Sequence, residues 1–177
     1  MASQIEYGDR MSDGDALLWH IEKDPRLRST ILVVWLLDRA PDRTRFEDKI
    51  ERDFEALPRV RCHAGQLNQA FLNLLMNACD AIGDNGRITV RTRTANGQVR
   101  LEFEDDGPGI PADVRDRVFE PFYTTKPVGQ GTGLGLSLTH GIIERHAGRI
   151  WVESERGLGT RFVIELPIDG AAPAAPA

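Results

Sequence analysis

Between Gly129 and Gly135 every second residue is glycine, and an apolar helical pattern follows at once. Leu134, Leu138 and Ile142 recur at spacings of four, which predicts a helix over about Gly133 to His146. Glycines spaced by two let a backbone approach phosphates closely, and the N-terminus of the helix behind them favours anions. Neither common phosphate motif fits. There is no Gly-Lys-Ser/Thr, and no Gly-x-Gly-x-x-Gly can be drawn through these residues. A mobile linker would explain the glycines alone, but an apolar helix directly behind them argues for a built loop.

The rest of the chain supplies a frame for that loop. A longer helix is predicted from about Gly65 to Ile82, with Leu67, Phe71, Leu74, Leu75, Ala78 and Ile82 as its buried stripe, closed by Asp84-Asn85-Gly86. Two alternating segments follow, Ile88 and Val90, then Val99, Leu101 and Phe103. Asn96-Gly97 between them is a hairpin signal. Two further strands, Arg149 to Glu155 and Thr160 to Leu166, meet across Gly157 and Gly159. One-sided strands with helices on the apolar face give an α/β fold, a two-layer sandwich with a mixed sheet.

Ahead of this lies a stretch rich in charge and tryptophan. Ser29 to Leu37 is a β-branched apolar run of strand length, and Phe46, Ile50, Phe54 and Leu57 recur at spacings of four, four and three, which predicts a helix. The chain therefore divides into residues 1–56, residues 57–168 and a low-complexity tail at 169–177, expected to be disordered. The 22 basic against 27 acidic residues give a net charge of −5, which argues against nucleic acid as a partner. Cys62 and Cys79 cannot build a disulfide scaffold, and no run is long enough to span a membrane. The expected location is the cytoplasm.

Three more segments carry chemistry. In Asn73-Leu-Leu-Met-Asn77-Ala-Cys-Asp80 the polar residues stand at spacings of four and three, on one helix face. A solvated helix face accounts for that pattern, yet an amide oxygen is also a good Mg²⁺ ligand beside phosphate. Asp105-Asp106-Gly107-Pro108-Gly109-Ile110 follows an apolar strand. It is an acidic turn, or a carboxylate that accepts from an exocyclic amine while glycine backbone closes over a flat ring. In Val118-Phe119-Glu120-Pro121-Phe122-Tyr123-Thr124-Thr125-Lys126, aromatics surround a proline and a lysine ends the run. Loop packing explains the aromatics, and a lysine near a polyphosphate would act as a point charge.

Taken in order, the four segments resemble the N box, first glycine box, F box and second glycine box of the catalytic ATP-binding domain of bacterial sensor histidine kinases, in the GHKL superfamily. The resemblance spans roughly Leu57 to Pro167. It implies ATP and Mg²⁺ as cofactors, with Asn77 as the metal ligand and Asn73 and Asp80 supporting it. It implies that Asp105 accepts from the adenine amino group within a pocket shaped by Gly107, Gly109 and Ile110, with Phe119 nearby. Thr125 and Lys126 would meet the phosphates, and Gly131, Thr132, Gly133, Leu134 and Gly135 would close over them. The implied catalytic set is Asn73, Asn77 and Lys126, and the implied activity is that of a histidine protein kinase in two-component signalling.

In the ATP-hydrolysing relatives a glutamate four residues before the metal-binding asparagine activates water. Here that position is Asn73, and a neutral amide cannot act as a general base. The γ-phosphoryl group would go to a histidine on another domain or chain, with a response regulator downstream and a homodimer left open. The alternative is a nucleotide-binding regulatory or scaffold module without kinase activity. His20-Ile-Glu-Lys23-Asp-Pro25 keeps the histidine-to-proline spacing of a phosphoacceptor box but lacks its acidic neighbour, and His63, His140 and His146 read as surface or packing residues. Tyr7 to Ala16, Trp19, Glu22 and the Leu37 to Pro41 turn resemble the start of wax ester synthase/diacylglycerol acyltransferase-type proteins, which suggests a fusion, or chimera. That family's His-His-x-x-x-Asp-Gly motif is absent, so the resemblance implies no acyl transfer.

Overall fold

The structure, a computed structural model, describes residues 49–58, 60, 62–126 and 131–168. The acyltransferase-like segment from Tyr7 to Pro41, which includes the Ser29 to Leu37 run and His20, Phe46 of the expected helix and the tail after Ile168 lie outside the described residues. Among the described residues, five strands and three helices follow in order. They are β1 (Ile50–Phe54), α1 (Ala64–Ile82), β2 (Ile88–Ala95), β3 (Gln98–Asp105), α2 (Ala112–Arg115), α3 (Gly135–Arg145), β4 (Arg149–Ser154) and β5 (Thr160–Pro167). The strands form one sheet in the order β1-β2-β3-β5-β4, with β1 and β2 parallel and every other pair antiparallel.

The period-two pattern of the strands puts Ile88, Val90, Val99, Leu101, Phe103, Phe162, Ile164 and Leu166 on one face. There they pack against the buried stripe of α1 and against Ile142 and Ile143 of α3. Burial of this continuous apolar layer is the main source of stability. The opposite face is a lattice of ion pairs, in which Arg91 meets Glu104, Arg161 meets Glu153 and Arg100 meets Glu102. Such partly exposed pairs add little each, and they keep the open face soluble. The two-layer α/β sandwich read from the sequence is the observed fold.

The expected helix through Ile50 and Phe54 is a strand instead. Ile50 pairs with Ile88 and Phe54 with Thr92 in parallel register, and the Glu55 N–H donates to the Thr92 carbonyl at 3.1 Å. A spacing of four is even, so it places two residues on one face of a strand as well as of a helix. The unfilled edge of β2 decides between them, because a strand there satisfies backbone groups that a helix would leave exposed. Among the described residues the sheet therefore starts with β1 at Ile50.

Smaller differences have local causes. Helix α1 stops at Gly83, whose φ of 60° with ψ of −136° suits glycine alone, rather than at Asp84-Asn85-Gly86. The Asn96-Gly97 hairpin is as expected, with φ of 52° and 74°. His146 is buried at the end of α3. It accepts from the His63 N–H through Nε2 at 3.0 Å and so donates through Nδ1 to the Ile142 carbonyl at 2.8 Å. It is a packing histidine that ties the start of α1 to the end of α3.

Candidate functional site

Strand register sets one wall of the site. Asp105 lies opposite Thr160, and Thr160 opposite Ser154, so the three form a lateral row on the core face at one end of the sheet. Asp105 is only 5% exposed. Burial pushes its carboxyl up to about 6, even though the Gly107 and Thr160 backbone N–H groups donate to it and favour the charged form. The Gly107 bond measures 3.0 Å. A buried carboxylate whose partners are two backbone donors keeps lone pairs for a ligand N–H.

The loop after Asp105 is held by close backbone approach. Gly109 has φ of 69°, and a side chain there would drive into the Glu155 carbonyl; one on Gly159 would drive into the Asp105 carbonyl. Ile110 donates its N–H to the Ser154 hydroxyl at 2.7 Å and packs on the core. On the helix side, a Cβ added to Gly107 would lie 3.1 Å from the Ala81 Cβ, so the last turn of α1 lies against this loop.

Helix α1 also reaches the second glycine segment. The Asn73 amide donates to the Gly135 carbonyl at 3.2 Å and to the Thr139 hydroxyl at 3.4 Å, tying α1 to the first turn of α3. One turn on, Asn77 is half-buried and makes no side-chain hydrogen bond among the described residues. A further turn on, Asp80 accepts from Lys126 Nζ at 2.6 Å. Along one face of a single helix, then, stand an amide spent on the fold, an uncommitted amide and a carboxylate paired to lysine.

The aromatic and glycine segments meet through backbone. The Phe122 N–H donates to the Gly133 carbonyl at 2.9 Å, and both residues have φ of 65°. A side chain on Gly133 would strike the Phe122 backbone, and one on Gly131 would lie 3.2 Å from the Lys126 Cβ. Thr132 accepts the Leu134 N–H at 3.3 Å, which shapes the turn into α3. Thr125, Thr132 and Leu134 are exposed at this rim. Gly129 lies outside the described residues. Phe119 instead faces inward, its ring 5.3 Å from that of His140 and 6.2 Å from that of Phe162. Its place is between α3 and the sheet.

The structure thus brings Asn73, Asn77, Asp80, Asp105, Gly107, Lys126, Gly131 and Gly135 around one helix, although 62 residues separate the ends of that set. Two features went unread in the sequence. The short helix α2 has no periodicity to announce it, and Ser154 is a lone serine at a strand end.

An asparagine amide with a neighbouring carboxylate suits Mg²⁺, which takes few protein oxygens and retains waters or phosphate oxygens. No group of three or more His, Cys, Asp or Glu able to hold a metal occurs among the described residues. A metal here would depend on ligand oxygens for most of its shell. No helix among the described residues is long and apolar enough to cross a membrane.

Comparison with known proteins places the fold. The family model "Histidine kinase-, DNA gyrase B-, and HSP90-like ATPase" matches residues 62–170. Sensor kinase CckA of Brucella abortus (strain 2308) is 45% identical over 136 residues, covering 68% of this chain and 14% of CckA. Sensor histidine kinase ZraS of Escherichia coli (strain K12) is 41% identical over 115 residues, covering 65% of this chain and 24% of ZraS. The chain spans a quarter or less of the length of these relatives. Among solved structures, the mycobacterial sensor histidine kinase MprB superposes with a TM-score of 0.64 at 31% identity, over 80% of this chain and 93% of that one. Full-length ShkA, solved in complex with AMPPNP, gives 0.66 at 30% identity, over 80% and 30%. By sequence over more than half its length, and by fold, the chain belongs to the histidine kinase-, DNA gyrase B- and HSP90-like ATPase family, and it shares both with sensor histidine kinases.

Proposed function

We propose that this chain carries the Mg-ATP-binding catalytic domain of a two-component sensor histidine kinase and supplies the γ-phosphoryl group to a histidine on another domain or chain. The observation that carries the reading is that α1 borders both the loop after the buried Asp105, through Ala81, and the phosphate-suited glycine turn, through Asn73. A nucleotide laid along α1 would place adenine at Asp105 and its phosphates toward Lys126 and the N-terminus of α3. Asp105 accepts the exocyclic amine, and the surface of Gly107 and Gly109 admits the flat ring. Lys126 offsets phosphate charge, and backbone N–H groups at the start of α3 add donors.

Asn77, with Asp80 beside it, would hold Mg²⁺, which supplies charge neutralisation on the phosphates when bound. Transfer breaks the bond between the γ-phosphorus and its bridging oxygen and forms a phosphorus–nitrogen bond to the imidazole. ADP leaves, and the imidazole gives up its N–H proton to solvent. The protein's part is positioning and electrostatics. Asn73 cannot take a proton from water, and its amide is already committed to Gly135 and Thr139. Slow ATP hydrolysis accompanies this reading, as do a response regulator as the downstream partner and a cytoplasmic location. Residues 1–48 are assigned no chemistry.

The test pairs calorimetric titration of Mg-ATP with transfer from γ-labelled ATP to a separately purified histidine-bearing dimerisation domain. Binding lost in Asn77→Ala and Asp105→Asn, with label on the added histidine, is the expected result. Binding without transfer would leave a nucleotide-regulated module, and no binding by the folded wild type would overturn the reading.

A further inference from the structure

The turn between β4 and β5 is fastened to the loop after Asp105 more tightly than two surface loops require. The Ser154 hydroxyl accepts the Ile110 N–H at 2.7 Å and donates to the Gly159 carbonyl at 2.7 Å, with the Thr160 hydroxyl 3.1 Å away. The Gly157 N–H adds a bond to the Pro108 carbonyl at 2.7 Å. Gly109 and Gly159 bring the two backbones into a contact that no side chain could enter. Two residues of this turn reach Asp105: Thr160 donates its N–H to the carboxylate, and Gly159 packs on the Asp105 backbone.

We propose that Ser154 is a positioning residue for the nucleotide base, its hydroxyl holding the Gly107–Ile110 loop against the β4–β5 turn so that Asp105 faces a preformed slot. This rests on the nucleotide reading above and adds to it the part of the chain that sets the slot's width. Ser154 belongs to a strand outside the four glycine and aromatic segments. Its hydroxyl bonds to Ile110, Gly159 and Thr160 rather than to the Asp105 side chain or to the phosphate side. Its effect must therefore pass through the Ile110 N–H and the Gly159 carbonyl. Loss of the hydroxyl leaves both groups without that partner and frees the loop to move away from the turn. Affinity that depends on the base then falls, while affinity that depends on Asn77 and Lys126 does not.

The experiment uses the full chain and three probes, adenosine, Mg-ATP and Mg-tripolyphosphate, on the wild type, Ser154→Ala and Ser154→Thr. Ser154→Ala should weaken adenosine and ATP binding alike, by about tenfold. It should leave tripolyphosphate affinity unchanged and shift the thermal midpoint by no more than about 5 °C. Ser154→Thr, which keeps the hydroxyl, should restore the wild-type values. Ser154→Cys, close in size and a poor hydrogen-bonder, carries the same expectation should the alanine variant fail to fold. Wild-type adenosine affinity in the hydroxyl-free variants would overturn the proposal while leaving the nucleotide site intact. An equal loss for tripolyphosphate would also overturn it, by showing a general role in the fold. Failure of the wild type to bind adenosine or ATP would instead bring down the nucleotide reading itself, and this proposal with it.

Discussion

The two ends of the site are built in different ways. At the Asp105 end, strand register, two glycines pressed backbone to backbone and the Ser154 hydroxyl set the geometry. At the Lys126 end, one ion pair spans 46 residues, its partners more than a third exposed, beside an exposed Phe122. Backbone contacts inside a sheet cannot rearrange without unpairing strands, whereas an exposed ion pair exchanges partners at little cost. The contrast suits a nucleotide. A base is flat and uniform, so a rigid slot serves it. Phosphates and their metal bring their own charge, which a lysine already paired to Asp80 can meet by changing partner.

Gly109→Ala should have the largest effect, since it combines a φ of 69° with a clash against the Glu155 backbone. A loss of about 3 kcal/mol or more is expected in denaturant unfolding. A much smaller loss would mean that the rigid end yields more readily than its contacts imply. Next comes Asn77→Ala, which should weaken Mg-ATP binding by about a hundredfold while leaving adenosine binding unchanged in the same titration. If adenosine binding fell as well, the two ends would be coupled rather than separate.

The pH dependence sharpens the contrast. Burial raises Asp105 from the ordinary 3.8 to about 6 in the folded chain, so it lowers stability as pH rises from about 3.8 to about 6, and the loss is complete above that. Binding works in the opposite sense, because the charged carboxylate is the acceptor. Adenosine affinity should fall as pH drops below about 6, and Asp105→Asn should bind weakly with that pH step flattened. Tripolyphosphate binding followed over the same range should not show the Asp105 step. The smallest effect is expected for Asp80→Ala, under about 1 kcal/mol in thermal unfolding, because the lost pair is exposed. Hydrolysis provides a separate check. The wild type should turn over ATP slowly, and a brisk Mg-dependent rate would contradict the reading that the chain has no general base at Asn73 and passes the γ-phosphoryl group to a histidine.

Much of this was legible in the amino-acid order. The alternation in β2 and β3, the Asn96-Gly97 turn and the stripe of α1 each declare themselves locally, because neighbours three, four or two residues apart suffice to bury one face. The four chemical segments were legible for the same reason, each being short and contiguous. β1 was not, since Ile50 and Phe54 fit both periods and only the bare edge of β2 distinguishes them. Asn73 read as a residue unable to act as a base, yet the helix it holds in place was visible only once Gly135 and Thr139 came within reach.

By itself the sequence determined the α/β class, the turns that need glycine and the residue types available for a nucleotide, all consequences of spacing and side-chain chemistry. Tertiary structure decided that β1 joins the sheet, that Phe119 packs inward, that Asp80 holds Lys126, and that Ser154 bonds to the Ile110 N–H. Each of these depends on groups far apart in the chain, whose meeting is set by strand pairing and core packing rather than by any local preference.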